Sequence, residues 1–196
     1  MRISEQRAAL KEWASAVHAL ASGRQILIMR KGGIVEETRH FELRETGFFL
    51  YPTYEHQKKH LLKDACQELI DRTTADWQPD QPTVKIETYA EAVRDLEVTS
   101  QEELDRLRDY HIWTDEFASE RLKWKKTQPL HVILLRVYKL AVPLEAPILP
   151  EYNGCKSWIE LKLPEHLPME GVAAPVMTDK QFEAERQAIL KQLGRG

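Results

Sequence analysis

The chain has 196 residues, 42% of them hydrophobic and 30% charged, which is typical of one folded soluble domain and excludes a disordered or fibrous chain. Its formal net charge of −3 lacks the basic excess of general DNA-binding proteins, although a local basic patch is still allowed. No apolar run approaches the roughly 18 residues of a membrane span, and Met1 to Ser4 do not resemble a signal peptide. We therefore expect a single domain over residues 1–196, located in the cytoplasm and not in a membrane.

The first part of the chain predicts a helix, a small antiparallel sheet and a second helix. Apolar residues at helical spacing predict an amphipathic helix over residues 5–21, capped by Ser4 and followed by Gly23. Short apolar runs separated by turn residues predict strands near 25–29, 34–35, 41–43 and 48–51. Pro52 and Thr53 then favour a helix over about residues 54–70.

The second part of the chain mixes strands with capped helices. Alternating apolar residues predict a strand from Val84, with an irregularity before it continues through residues 93–98. The segment 130–140 is rich in branched residues and predicts a central strand, and residues 157–161 predict one more. Helix starts are predicted at the caps Ser100, Thr114 and Thr178, the last opening a helix over about 179–193 that can be an appendage to the domain.

Strands without a regular alternation with helices favour an α+β fold with a mixed or closed sheet. We expect a compact β-barrel flanked by helices.

Six segments together resemble the bacterial domain-of-unknown-function family numbered 1802. They are KEW (11–13), RKGGI (30–34), FFLYPTYEHQ (48–57), HIWT (111–114), LLRVYKL (134–140) and GCKSWIEL (154–161). This resemblance implies no particular activity. In addition, ALASGRQILIMRKGG (19–33) and LLRVYKLAVPL (134–144) are similar to parts of ASCH domains, which with EVE domains belong to the PUA-like barrels. That second likeness implies a barrel that binds RNA or modified bases.

The segment Arg30-Lys31-Gly32-Gly33 is a candidate anion site. Adjacent glycines can bring bare N–H groups toward a ligand, while the two basic side chains supply charge for a phosphate. A tight hairpin with solvated basic residues explains the same pattern.

Aromatic and basic residues mix at two further places. Tyr51 and His56 lie where a strand passes to the expected helix 54–70, a position that favours anions. Trp113 and Arg121 lie in a stretch rich in tryptophan and lysine, which suits stacking on a base. In both places, core aromatic residues with solvated basic neighbours are the alternative interpretation.

The sequence gives less support for a metal site or a catalytic site. His56 and His60 have the spacing of paired zinc ligands, but Gln57 stands where a zincin has its glutamate and no third ligand is evident, so we expect neither a metal nor another cofactor. Glu160 and Lys162 resemble the second half of a PD-(D/E)XK nuclease motif, whose acidic partner would be the distant Asp80. Too few cysteines are present for a disulfide framework.

The favoured hypothesis is a PUA-like module that binds RNA, DNA or a modified nucleotide without catalysis. Arg30 and Lys31, with Gly32, would contact phosphate. Tyr51 and Trp113 would stack on a base, and His56 and Arg121 would make polar contacts. The alternatives are the metal-dependent nuclease and an accessory protein that contacts a protein partner through its terminal helices.

Overall fold

The computed structural model describes residues 7–31, 46–124, 126, 128–154, 156–163 and 173–196. Within them the chain forms seven strands and five α-helices, which confirms the α+β class. The strands are β1 (Ala8–Trp13), β2 (Leu27–Arg30), β3 (Gly47–Thr53), β4 (Thr83–Val98), β5 (Leu130–Pro147), β6 (Trp158–Glu160) and β7 (Ala173–Pro175). The helices are α1 (Ala14–Ala21), α2 (Glu68–Thr74), α3 (Gln101–Asp105), α4 (Asp115–Lys123) and α5 (Asp179–Gln192).

All seven strands belong to one mixed sheet. Its order is β2-β5-β4-β3-β1-β6, with β7 paired to β5 beside this path. The pair β1–β3 is parallel and the other recorded pairs are antiparallel. Over the described residues the two ends of the order, β2 and β6, are not paired with each other, so the sheet is open and does not form the closed barrel expected from the sequence.

Strand β5 is internal, as its composition predicts. One side of β5 pairs with β4 over nearly its whole length, and the other pairs with β2 near its start and with β7 further along. Pairing on both sides needs apolar residues facing both surfaces of the sheet, which explains the run of branched residues. The predicted irregularity in β4 is confirmed by a register shift between Ala92 and Arg94.

The helix predicted over residues 5–21 is wrong in its first part. The described chain runs as strand β1 through Trp13, and α1 begins only at Ala14. Both edges of β1 are engaged, by β3 in parallel and by β6 in antiparallel orientation. These pairings, made with distant parts of the chain, override the local helical pattern. Gly23, at φ 69°, follows the helix end as predicted.

The helix predicted over residues 54–70 is also wrong. Two short 3-10 turns, Lys59–Leu61 and Asp64–Cys66, precede α2. The backbone here is paired with the segment before α4: Lys63 N donates to Ile112 O at 2.9 Å, and Thr114 N donates to Leu61 O at 3.0 Å. Because these groups are used between segments, they cannot continue a helix.

Helix starts are where the sequence predicts them. The side chains of Ser100 and Thr114 accept hydrogen bonds from the third residue of their helices, and Thr178 with Gln181 forms a complete capping box. Helix α5 buries Phe182, Ile189 and Leu190 in the same apolar cluster as β2, β4 and β5. No helix in the described ranges is long and apolar enough to cross a membrane. The strands predicted at 34–35 and 41–43, with Gly32 and Gly33, lie outside the described residues.

Candidate functional site

A buried carboxylate marks the junction between β1 and α1. The Glu12 side chain is only 5% exposed, and its Oε1 accepts a hydrogen bond from Trp13 N at 2.7 Å. The Glu12 carbonyl accepts another from Thr53 Oγ1 of β3 at 3.1 Å. A buried carboxylate is costly without a cationic partner.

Arg30 supplies that partner from the end of β2. Its Nη1 lies 3.5 Å from Glu12 Oε2, and its Nη2 donates to Lys11 O at 2.7 Å. Three strands separate β2 from β1 in the sheet order, yet Arg30 bridges them. The sheet must therefore curl strongly, so that β2 and β1 approach each other through a side chain where no ladder of hydrogen bonds joins them.

Two further cations come from the neighbourhood of α4. Lys31 is buried, its Nζ donates to Leu122 O, and burial lowers the pKa of its ammonium group. The Arg121 guanidinium lies 5.1 Å from the centre of the Phe117 ring. Burial lowers the pKa of Arg121; the Glu12 carboxylate opposes this shift and Arg30 adds to it. Two guanidinium groups thus act on one carboxylate.

Two buried polar groups without a hydrogen-bond partner lie at the first turn of α1, which begins two residues after Glu12. Gln57 Oε1 accepts from Ser15 N at 3.1 Å, so the amide caps the first turn of α1. Gln57 Nε2 and Ser15 Oγ are both buried and have no hydrogen-bond partner among the described residues. Arg121 likewise makes no hydrogen bond within the described part of the chain. We call Glu12, Ser15, Arg30, Gln57 and Arg121 the junction cluster.

The structure places the predicted binding residues in different environments: in the junction cluster, in the core or on the surface. Arg30 and Arg121 belong to the junction cluster, with Lys31 next to it in sequence. Trp113 is a core residue, 3% exposed, whose ring lies 6.4 Å from Phe117. His56 is exposed and directly precedes Gln57.

Tyr51 lies on the other face of the sheet. In the β1–β3 register Tyr51 is opposite Lys11, whose amine donates to Tyr152 O at 2.6 Å, and the Tyr51 and Tyr152 rings meet edge to face at 5.9 Å. Burial, with the neighbouring tyrosines, raises the pKa of Tyr51 to about 12. Because successive residues of a strand face opposite sides, Glu12 is directed away from this tyrosine pair.

Sequence reasoning missed three members of the junction cluster: Glu12, Ser15 and Gln57. A signal for two of them was present, since Glu12 lies in KEW and Gln57 ends FFLYPTYEHQ. The structure shows that KEW contacts RKGGI through Arg30 and FFLYPTYEHQ through the β1–β3 pairing. Ser15 lies in none of the six segments, and no local pattern distinguishes it.

The histidine of HIWT is buried rather than available to a ligand. His111 is 5% exposed, and its Nδ1 has no hydrogen-bond partner among the described residues. Burial and the nearby Lys63 ammonium lower the pKa of His111 to about 3, against a hydrogen bond to the Trp113 backbone that acts in the other direction. His111 is therefore neutral in the folded protein at neutral pH.

This burial predicts a pH dependence of stability. As the pH falls below about 6.5 the unfolded chain binds a proton at His111, whereas the folded chain does not until about pH 3. Stability should thus fall with pH in that window, by up to about 1.4 kcal/mol per pH unit from this group. Urea unfolding of His111→Gln between pH 6 and 4 should show a smaller slope than wild type, while exposed His56→Gln keeps the wild-type slope. Equal slopes for His111→Gln and wild type would refute the prediction.

The residues of the nuclease hypothesis lie elsewhere. Glu160 and Lys162 are exposed at and just beyond β6, at the end of the sheet order, and Asp80 is exposed in the loop before β4. Among the residues that the structure describes, no group of three or more His, Cys, Asp or Glu side chains could hold a metal ion.

The described residues define an α+β protein with a curled mixed sheet and a buried cationic cluster where β2 approaches β1. The chain belongs to the family described as Domain of unknown function (DUF1802), whose model matches residues 9–188. This confirms the resemblance carried by the six segments. Comparison with curated proteins and with solved structures gave no significant match.

Proposed function

We propose that the protein binds nucleic acid, as a single strand or a modified base, at the junction cluster. The observation that carries the proposal is the set of contacts made by the Arg121 side chain. Its guanidinium is held over the Phe117 ring but makes no hydrogen bond within the described residues, although a guanidinium has five N–H donors. Such a group is suited to a phosphate or to the carbonyl edge of a base.

The charge balance supports the same ligand class. Arg30 and Lys31 donate to backbone carbonyls, and among the described residues the cluster and its neighbour Lys31 contribute three cations and the Glu12 carboxylate. The N-terminus of α1 adds partial positive charge at the same place. Aromatic rings are also near, since the Trp13 and Phe117 rings lie 5.1 Å apart. Cationic donors next to aromatic rings are what recognition of single-stranded nucleic acid uses.

The proposal includes a PUA-like origin for the fold. One apolar cluster contains Leu10, Ile28, Leu50, Ala90 and Ile133, one residue from each of the first five strands. A curled sheet with a shared interior is the arrangement from which an incomplete barrel is built. Tyr51 is left out of the proposed site because it packs on the opposite face.

The test is fluorescence anisotropy of labelled single-stranded RNA, single-stranded DNA and duplex DNA at two salt concentrations. Binding through phosphate should weaken as salt rises. Arg121→Gln should bind about tenfold more weakly, the effect of losing a charge-assisted hydrogen bond. The matched control is Arg94→Gln, an exposed arginine on β4. Absence of binding to all three probes, or wild-type affinity in Arg121→Gln, would refute the proposal.

A further inference from the structure

The Arg121 side chain presents its guanidinium to solvent. Arg121 is half-buried and makes no hydrogen bond within the described residues, yet none of its nitrogens is among the enclosed polar atoms that lack a partner. Its donors therefore reach the surface. By contrast, Arg30 Nε is enclosed, and Lys31 is buried with its Nζ bound to Leu122 O. A ligand can contact Arg121 from outside without the opening of a cavity.

Aromatic packing holds this guanidinium in place. Phe117 lies four residues before Arg121 on α4, so the two side chains share one face of the helix, and Arg121 Cζ lies 5.1 Å from the centre of the Phe117 ring. The Phe117 ring packs in turn against Trp13 at 5.1 Å and against the core residue Trp113 at 6.4 Å. A side chain that is already held loses less freedom when it binds, which favours a directional contact.

An accessible, held guanidinium suits a base edge that offers two adjacent acceptors. Its N–H donors form a planar fork that matches two acceptors side by side. Guanine presents N7 and O6 in this way, and arginine bound to these two atoms is the commonest specific base contact in DNA complexes. Adenine and uracil alternate donors with acceptors along their edges, so they cannot occupy both arms of the fork.

The neighbouring rings distinguish guanine from cytosine, whose O2 and N3 are also adjacent acceptors in a single strand. Trp13 and Phe117 are both half-buried and lie beside Arg121. They favour the larger ring system of guanine, because stacking strength differs between bases. We propose that Arg121 binds the N7 and O6 edge of an unpaired guanine in a single strand, an inference that rests on the proposed function.

The test uses short single-stranded oligonucleotides with a fluorophore at one end. The central base is guanine, cytosine, adenine or uracil and all other bases are uracil, with thymine in place of uracil in a matching DNA set. Fluorescence anisotropy at one low salt concentration measures each affinity. We expect the guanine form to bind about tenfold more tightly than the adenine and uracil forms, the discrimination of one bidentate pair, and the cytosine form to lie between them.

Two substitutions locate the effect. Arg121→Lys keeps the positive charge but loses the planar fork, so the guanine preference should disappear while binding to the uracil form persists. Phe117→Leu keeps an apolar side chain but removes the ring beside the guanidinium, so it should weaken the preference. The matched control is Arg94→Lys, an exposed position on β4 that should keep the wild-type preference. The Tm of each variant shows that it is folded, and Arg121→Lys decides the result if Phe117→Leu does not fold.

The outcomes separate the two proposals. Measurable and equal affinity for all four central bases would overturn guanine binding and leave nucleic-acid binding standing. Strongest binding to a base other than guanine would also overturn the guanine assignment. Absence of binding to every oligonucleotide would overturn both proposals. A guanine preference that persists in folded Arg121→Lys would overturn the assignment to Arg121.

Discussion

Replacing Arg30 by alanine is expected to lower the free energy of unfolding by about 3 kcal/mol, the lower end of the range for breaking a buried ion pair. The substitution removes the cation that lies 3.5 Å from the Glu12 carboxylate, which is 5% exposed, and it removes the donor to Lys11 O that ties β2 to β1. The lower end applies because Arg121 still acts on Glu12. Urea unfolding of wild type and Arg30→Ala at neutral pH measures the difference.

Two further variants test the cause. Arg94→Ala removes an exposed arginine and should change stability by no more than about 0.5 kcal/mol. Adding Glu12→Gln to Arg30→Ala should recover part of the loss, because the buried charge is then gone. A loss below about 1 kcal/mol in Arg30→Ala would show that Glu12 does not depend on Arg30. The expected loss also means that weak nucleic-acid binding by Arg30→Ala cannot by itself identify a ligand contact.

Replacing Trp113 by alanine is expected to cost about 3–5 kcal/mol, as for other large buried side chains. Trp113 is 3% exposed, packs against Phe117, and lies in the backbone bridge to Leu62 that connects the segments before α2 and α4. Its ring is therefore part of the core and does not offer an open face to a base. Thermal and urea unfolding measure the loss.

The matched control is Trp124, just after α4, which is 41% exposed. Trp124→Ala should cost about 1 kcal/mol or less, because less apolar surface leaves the protein interior. Similar losses in the two variants would contradict the assignment of Trp113 to the core.

Local signals in the sequence predicted much of the fold. The caps at Ser100, Thr114 and Thr178, and the branched run of β5, were confirmed because such signals depend on a few neighbouring residues. The predicted helices over 5–21 and 54–70 were wrong where the backbone pairs with distant segments. A pattern within one segment contains no information about those partners.

Part of the candidate site was also visible in the sequence. Arg30, Lys31 and Arg121 were chosen for their charge, and the structure brings them to one place.

The sequence by itself determined the α+β class, the central strand, the helix starts and the family. Only the tertiary structure decided which residues meet: it curls the sheet so that Arg30 reaches Glu12, caps α1 with Gln57, and directs Tyr51 to the opposite face. The physical reason is the separation along the chain between the residues that interact. Caps and strand composition act between near neighbours in the chain, whereas burial of a charge and the face of a strand depend on pairings tens of residues apart.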